Sequence, residues 1–138
     1  MRGRISNPTT AGTAASVAHL PAGRNRPSDR RIAHLQTALA QAPSRVDLWV
    51  ELGNIQLRGD RLSAAEDCFR RAVSLRQDSS AAHHGLGLTL RRRGELESAV
   101  QSLERAVDLE PGWIGAWNDL AACQDSLGKA REAVESYR

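Results

Sequence analysis

The sequence predicts an all-α fold, a solenoid of antiparallel helix pairs, from three observations. The chain repeats itself with a fixed period of about 34 residues, so that Trp49, His83 and Trp117 occupy one column of the repeat. Small and apolar residues recur at constant offsets in other columns: Leu52, Leu86 and Leu120; Gly53, Gly87 and Ala121; Ala65, Ala99 and Ala133; Phe69, Leu103 and Tyr137. Each period also contains two apolar stripes of helical spacing with a glycine between them. Units of this kind stack on their neighbours and present a long surface rather than a pocket.

The first element is an expected disordered, arginine-containing arm over residues 1–27. Its composition is dominated by small and polar residues without an apolar period, and Pro8, Pro21 and Pro27 interrupt any helix. Six arginines against one aspartate give residues 1–31 a charge of +5, whereas the remainder of the chain carries −2. A transit peptide is an alternative for this acid-poor segment, and a secretory signal fits it less well.

A single helix is expected next, over residues 28–43. Ser28 or Asp29 can accept hydrogen bonds from the free amides of its first turn, and Pro43 ends it. Leu35 of its apolar stripe lies one period before Phe69. The helix is therefore in phase with the second helices of the later pairs and forms half of a repeat.

Two complete helix pairs follow over residues 44–79 and 80–113, and a third, truncated pair follows over residues 114–138. Ser44 is expected to cap the first pair, and Ser79 or Ser80 the second. Glycines with positive φ are expected at the turns within the pairs, because helices commonly end on such residues. These turn glycines are Gly59, Gly94 and Gly128. Gly94 and Gly128 are in register, but Gly59 comes one residue early, so the first turn is expected to differ slightly in geometry.

The expected core follows from the columns. The glycine and alanine columns allow the two helices of a pair to approach closely, with Ala121 facing Ala133 in the third pair. Trp49 and Trp117 are expected to be largely buried, and Leu75 to fill space beside them.

These columns resemble the tetratricopeptide repeat. The resemblance depends on Trp49-x-x-Leu52-Gly53 followed by Ala65, Phe69 and Ala72, and on the equivalent positions of the next two periods. It covers about residues 29–138. It implies a right-handed superhelix, with a concave groove along the first helices that binds a peptide or another protein. It implies no catalysis and no cofactor.

The resemblance and helical spacing place a set of mostly polar side chains on the groove. They are Asp47, Glu51, Asn54, Arg58, His84, Leu88, Arg91, Arg92, Asn118, Asp119 and Asp125. For each of them the alternative is an ordinary solvated position. Chaperone-binding members of the family grip a carboxylate with Lys, Asn and Arg side chains. The matching positions are Val50, Asn54, Gly85, Gly115 and Asp119, and only Asn54 agrees, so a carboxylate clamp is not expected.

Other chemistries find little support in the sequence. Cys68 and Cys123 match no metal spacing and are expected to be reduced packing residues of a cytoplasmic protein. His83 and His84 are adjacent on a helix and point apart, so no metal site is expected. There is no catalytic or nucleotide-binding motif, and no stretch approaches the roughly 20 apolar residues of a membrane span. Specific nucleic-acid binding is not expected either, because no basic stripe with interleaved aromatics is present.

Arg91-Arg92-Arg93 is the densest basic run. Three arginines can bind a phosphate or an acidic motif. Cations in the last turn of a helix also complement its dipole, and this structural interpretation is the simpler one.

Two hypotheses of function remain. The first is a protein-interaction scaffold or adaptor without enzymatic activity. The second is the repeat section of a larger or truncated enzyme of glycosyltransferase or sulfotransferase type, which recruits substrate proteins. The short last helix, residues 130–138, should leave parts of Trp117, Leu120 and Tyr137 uncovered. Self-association through this end of the chain is therefore an additional expectation.

Overall fold

The computed structural model describes residues 26–136, which form six α-helices and no strand. The helices are α1 (Pro27–Gln41), α2 (Val46–Arg58), α3 (Leu62–Leu75), α4 (Ser80–Arg92), α5 (Leu96–Leu109) and α6 (Ile114–Ser136). The predicted N-terminal arm up to residue 25 lies outside the described residues, as does Tyr137.

The boundary between two compact units falls within α1, after Thr37. α1 begins at Pro27, slightly earlier than predicted, because the fixed φ of proline suits the first position of a helix. Leu35 and Leu39 of its predicted apolar stripe are buried. The unit that begins at Ala38 contains α2 to α6.

The helices α2 to α6 form a solenoid of antiparallel pairs, as the period predicts. Each helix packs mainly on the next one along the chain, and the first helices α2, α4 and α6 also contact one another in turn. This pattern of nearest-neighbour contacts confirms the predicted fold class.

The core of the solenoid contains the predicted columns. Phe69 is the largest fully buried side chain, and Ala65 and Ala72 beside it have no exposed surface. In the next pair Ala99, Leu103 and Ala106 repeat this burial. These residues lie between the two helices of a pair and fix their separation.

The glycines of the first helices pack against large side chains of the second helices, and not only against their alanines. A methyl group at Gly53 would lie 2.8 Å from the Phe69 ring, and one at Gly87 would lie 2.7 Å from Leu103 Cγ. Ala121, the third member of this column, is exposed and so is Ala133. The predicted contact between these two alanines is therefore wrong.

The turn between α2 and α3 differs from the next turn, as the early position of Gly59 predicts, and the difference lies in the residue that has positive φ. Gly94 has a φ of +84°, as expected, but Gly59 has a φ of −84°. Asp60 takes the left-handed conformation instead, with a φ of 59°. Asp60 lies one full period before Gly94, so the turn keeps its phase. Aspartate tolerates this region better than most residues.

One of the three predicted helix caps is confirmed and two are wrong. Ser28 and Asp29 lie inside α1, which begins at Pro27. Ser79 Oγ accepts a hydrogen bond from the Ala82 amide at 3.2 Å. Ser44 does not cap α2, because the residue at the cap position is Arg45, whose side chain makes no capping bond. Arg45 instead forms two hydrogen bonds with Asp47 in the first turn.

The predicted turn at Gly128 is absent, and α6 continues through this residue as one helix of 23 residues. Residues 129–136 are exposed and do not pack back on α6. They are mostly strong helix formers, and Lys129 forms an ion pair with Asp125 one turn earlier at 3.1 Å. A returning helix of about two turns would bury too little surface to offset the break, so the straight helix prevails.

The burial predicted for the tryptophans is also wrong. Trp49 is half-buried, and Trp117 is 46% exposed. Each indole N–H donates to a backbone carbonyl six residues earlier, Trp49 to Pro43 and Trp117 to Pro111, both at 2.8 Å. Because both acceptors lie in the loop before the helix, the rings lie at the edge of the core. Leu75, another predicted core residue, is 39% exposed at the end of α3.

His83 explains the composition of the tryptophan column. Its Nε2 lies 2.9 Å from the carbonyl oxygen of Gln77, again six residues earlier. A carbonyl only accepts, so Nε2–H is the donor. The column therefore selects a ring with an N–H group, a property that indole and imidazole share.

Candidate peptide-binding groove

The candidate groove lies along α2, α4 and α6, the three first helices that contact one another. The structure places most of the predicted groove residues at or near the surface of these helices. Asp47, Arg58, Arg92, Asn118 and Asp125 are exposed; Glu51, Asn54, His84, Leu88, Arg91 and Asp119 are half-buried.

The centre of the groove is a contact between α4 and α6. His84 Nε2 lies 2.7 Å from Asp119 Oδ2, with side-chain exposures of 17% and 33%. The imidazole ring also packs against the indole of Trp113, with 4.3 Å between the ring centroids. These two contacts fix the orientation of His84 and join two residues that the sequence placed on the groove separately.

Next to this pair is a concavity of about 470 Å³. Its lining residues are Leu88, Arg91, Arg92 and Asp119. The Arg91 guanidinium forms no hydrogen bond or ion pair with the other residues that the structure describes, so its donors are available to a ligand. Leu88 supplies an apolar wall. A segment with one acidic and one apolar side chain fits this combination.

The other two arginines of the basic run have structural partners. Arg92 donates to the carbonyl oxygen of Leu57 at 2.7 Å and so joins the ends of α2 and α4. Arg93 donates to Ser63 and forms ion pairs with Glu66 and Glu95. The run therefore does not form a cluster of three free cations, and Arg91 is the member whose guanidinium has no hydrogen bond or ion pair within the part of the chain that the structure describes.

Two acidic side chains at the ends of the predicted groove form ion pairs with cations close to them in sequence. Asp47 pairs with Arg45 at 2.7 Å, and this hydrogen bond lowers the pKa of the Asp47 carboxyl. Asp125 pairs with Lys129. Both pairs are exposed, so a partner with basic side chains has to compete with them in water.

Gly85, one of the clamp positions, does not lie in the groove. It is buried, and a methyl group there would overlap the ring of Phe69. No longer side chain fits this position, which is consistent with the sequence-based expectation that a carboxylate clamp is missing.

Trp113 is the site residue that sequence reasoning missed. It precedes α6 and does not belong to the tryptophan column, so the period gave it no role. Its position just before a first helix is the one signal that could have placed it near the groove.

Among the described residues no group of three or more His, Cys, Asp or Glu side chains is arranged to hold a metal ion. The helices in this part of the chain also lack the combination of length and apolar character that a membrane crossing requires.

Both cysteines are buried free thiols, and we expect them to be unreactive in the folded protein. Burial raises the pKa of Cys68 to about 11, with a further contribution from Asp67. Burial also raises the pKa of Cys123, although Arg91 opposes the shift. Because the thiolate is the nucleophile, Ellman's reagent at pH 8 should label the native chain much more slowly than the chain unfolded in urea. Equal labelling rates in the two states would contradict the burial of these thiols.

Known proteins resemble the chain in both sequence and structure. The family model described as Tetratricopeptide repeat matches residues 28–82 and 57–113. A Peroxisomal targeting signal receptor of Eremothecium gossypii is 30% identical over 102 residues, which are 74% of this chain and 18% of that protein. The chain therefore belongs to the tetratricopeptide repeat family, and it spans less than a fifth of this relative's length.

Two solved structures share the fold. The first TPR of Spaghetti (RPAP3) bound to an HSP90 peptide has a TM-score of 0.71 at 22% identity, over 80% of this chain and 86% of that chain. The O-GlcNAc transferase of Thermobaculum terrenum has a TM-score of 0.68 at 26% identity, over 89% of this chain and 23% of that chain.

Proposed function

We propose that this chain is a protein-interaction module that binds a peptide or protein segment in the groove along α2, α4 and α6. The observation that supports the proposal is the concavity beside the His84–Asp119 pair, where the Arg91 guanidinium has no hydrogen-bonding partner among the described residues. The proposed role is that of a cytoplasmic scaffold or adaptor, without catalysis by these residues.

The chemistry of the concavity defines the proposed ligand. A carboxylate of the partner accepts hydrogen bonds from the Arg91 guanidinium, and an adjacent apolar side chain packs on Leu88. Two of the similar proteins support a polypeptide ligand by their descriptions, since one is a receptor for a targeting signal and the other is bound to an HSP90 peptide.

The test begins with selection of ligands from a random peptide library on the intact chain. The affinity of a selected peptide is then measured by calorimetry for the wild type and for Arg91→Ala. Loss of hydrogen bonds to a charged group typically costs about 1.5–3 kcal/mol, so we expect binding to weaken about ten- to hundredfold. Affinity should also fall as salt rises, because exposed charges are screened.

Arg105→Ala is the matched control for this experiment. Arg105 is an exposed arginine on α5, a second helix that does not line the groove. Its removal changes the net charge of the chain by the same amount, so the affinity should stay within about twofold. Equal losses from Arg91→Ala and Arg105→Ala would refute recognition by the groove.

A second function is supported by a different observation. The structural similarity to the O-GlcNAc transferase covers most of this chain but only 23% of that enzyme. The alternative proposal is therefore the repeat section of a larger glycosyltransferase- or sulfotransferase-type enzyme that recruits substrate proteins. Reading the gene for a continuing frame that encodes a catalytic domain separates the two proposals.

A further inference from the structure

Arg91 and Asp119 line the same concavity with opposite charges, yet they form no ion pair with each other. Burial raises the pKa of Cys123, one turn after Asp119 on α6, and the charge of Arg91 opposes the rise. A charge that acts on this thiol lies near the helix that carries Asp119. An ion pair between Arg91 and Asp119 would occupy the donors that a ligand needs, so the cause of its absence matters for binding.

His84 is the residue that holds the Asp119 carboxylate. Its Nε2–H donates to Asp119 Oδ2 at 2.7 Å, because a carboxylate only accepts. The indole of Trp113 packs against the imidazole and limits its rotation. The side chain of His84 is mostly buried, so water competes little for this hydrogen bond. A carboxylate held by such a fixed donor is less available to a second cation.

We propose that His84 is a positioning residue, which holds Asp119 away from Arg91 and so keeps the Arg91 guanidinium unpaired for a carboxylate of the ligand. The role rests on the proposed function, in which Arg91 binds the ligand. Without the imidazole donor, the Asp119 carboxylate pairs with Arg91, and an acidic peptide has to displace it. His84 therefore sets the preference of the concavity for acidic segments without contacting the ligand.

The state of the Arg91 guanidinium can be measured on the intact chain without a ligand. Phenylglyoxal reacts with the neutral form of a guanidine, whereas a neighbouring carboxylate favours the charged form. His84→Leu removes the donor and keeps an apolar side chain of similar size beside Trp113. Arg91 should react about two- to fivefold more slowly in this variant, the change that an ion pair at a protein surface produces. Tandem mass spectrometry of fragments from a glutamate-specific protease assigns the label to each arginine.

Further variants separate positioning from a general effect on packing. His84→Ala also lacks the donor and should show the same decrease, whereas His84→Gln keeps an N–H donor and should retain the wild-type rate. His84→Leu combined with Asp119→Asn removes the competing carboxylate and should restore at least the wild-type rate at Arg91. Arg105, exposed on α5, should react equally in all these proteins. An unchanged rate at Arg91 in both donor-free variants, or a decrease that Asp119→Asn does not reverse, would overturn the proposal.

The same variants separate the role of His84 from the proposed function. If no peptide selected on the chain depends on Arg91, the proposed function fails, while the labelling rates still decide whether His84 controls the Arg91 guanidinium. For a peptide that binds through Arg91, His84→Leu should weaken binding about two- to fivefold in calorimetry, and adding Asp119→Asn should restore it. A loss of affinity without a change in labelling would show that His84 contacts the ligand itself and would contradict the positioning role.

Discussion

Replacing Phe69 with alanine is expected to destabilise the solenoid by about 3–5 kcal/mol, the range for a large aromatic side chain truncated in a core. The ring has no exposed surface, and it packs between Gly53 of α2 and Gly85 of α4. Its loss therefore weakens both a helix pair and the stacking of one pair on the next. Since small domains have a total stability of about 5–15 kcal/mol, a large share is removed. Urea unfolding followed by circular dichroism measures the effect.

Phe69→Leu is the matched control, because Leu103 fills the equivalent position in the following pair. A leucine retains most of the apolar contact, so we expect a cost below about 1.5 kcal/mol. If the alanine and leucine variants unfold at the same urea concentration as the wild type, Phe69 is not the centre of the core.

Gly85→Ala is expected to be the second most damaging change, although it adds a single methyl group. That methyl would overlap the Phe69 ring, which is enclosed and has no space to move into. Overpacking of a core typically costs about 1–3 kcal/mol, which outweighs the gain of about 1 kcal/mol when alanine replaces glycine in a helix. Thermal unfolding should show the loss. The cost should shrink in a Gly85→Ala, Phe69→Leu double variant, because the smaller side chain makes room for the methyl group.

Gly128→Ala is the same chemical change as Gly85→Ala, but we expect it to stabilise the protein. Gly128 lies within α6, and a methyl group there would meet no atom within 4 Å. The substitution should stabilise α6 by up to about 1 kcal/mol. A destabilised Gly128→Ala protein would indicate that the chain turns at this residue in solution.

The sequence predicted the core of the first two pairs well because packing between helices restricts side-chain size closely. Ala65, Phe69 and Leu103 are buried as their columns require. The edge of the core was harder to predict. Trp49 belongs to the column as much for its N–H group as for its apolar ring, and a hydrophobic pattern does not distinguish these contributions.

The third pair could not be predicted from the period alone. Gly128 is in phase with Gly94, but a glycine permits a turn without requiring one. Whether the helix breaks there depends on the surface that the returning segment would bury, and that quantity is absent from the sequence. Residue type was also a poor guide at the first turn, where Asp60 and not Gly59 has positive φ. The position of the turn within the repeat mattered more than which of the two residues is a glycine.

For the groove, the sequence placed the participating helices but not the contacts across them. His84 and Asp119 were both assigned to the groove, yet their hydrogen bond depends on how α4 and α6 pack. Which arginine of the basic run is available to a ligand also depends on how the repeats pack. Arg92 donates to Leu57 of the preceding pair, whereas the Arg91 guanidinium stays available.

The ring-to-carbonyl hydrogen bond that recurs at Trp49, His83 and Trp117 has a consequence for how such an array changes length. Donor and acceptor lie six residues apart, well inside a single period of the repeat. A gene duplication or deletion of one whole period therefore carries the bond with it, wherever the breakpoints fall. Each added period arrives with its own anchor to the preceding loop, so the array gains or loses a unit without redesign of the junction.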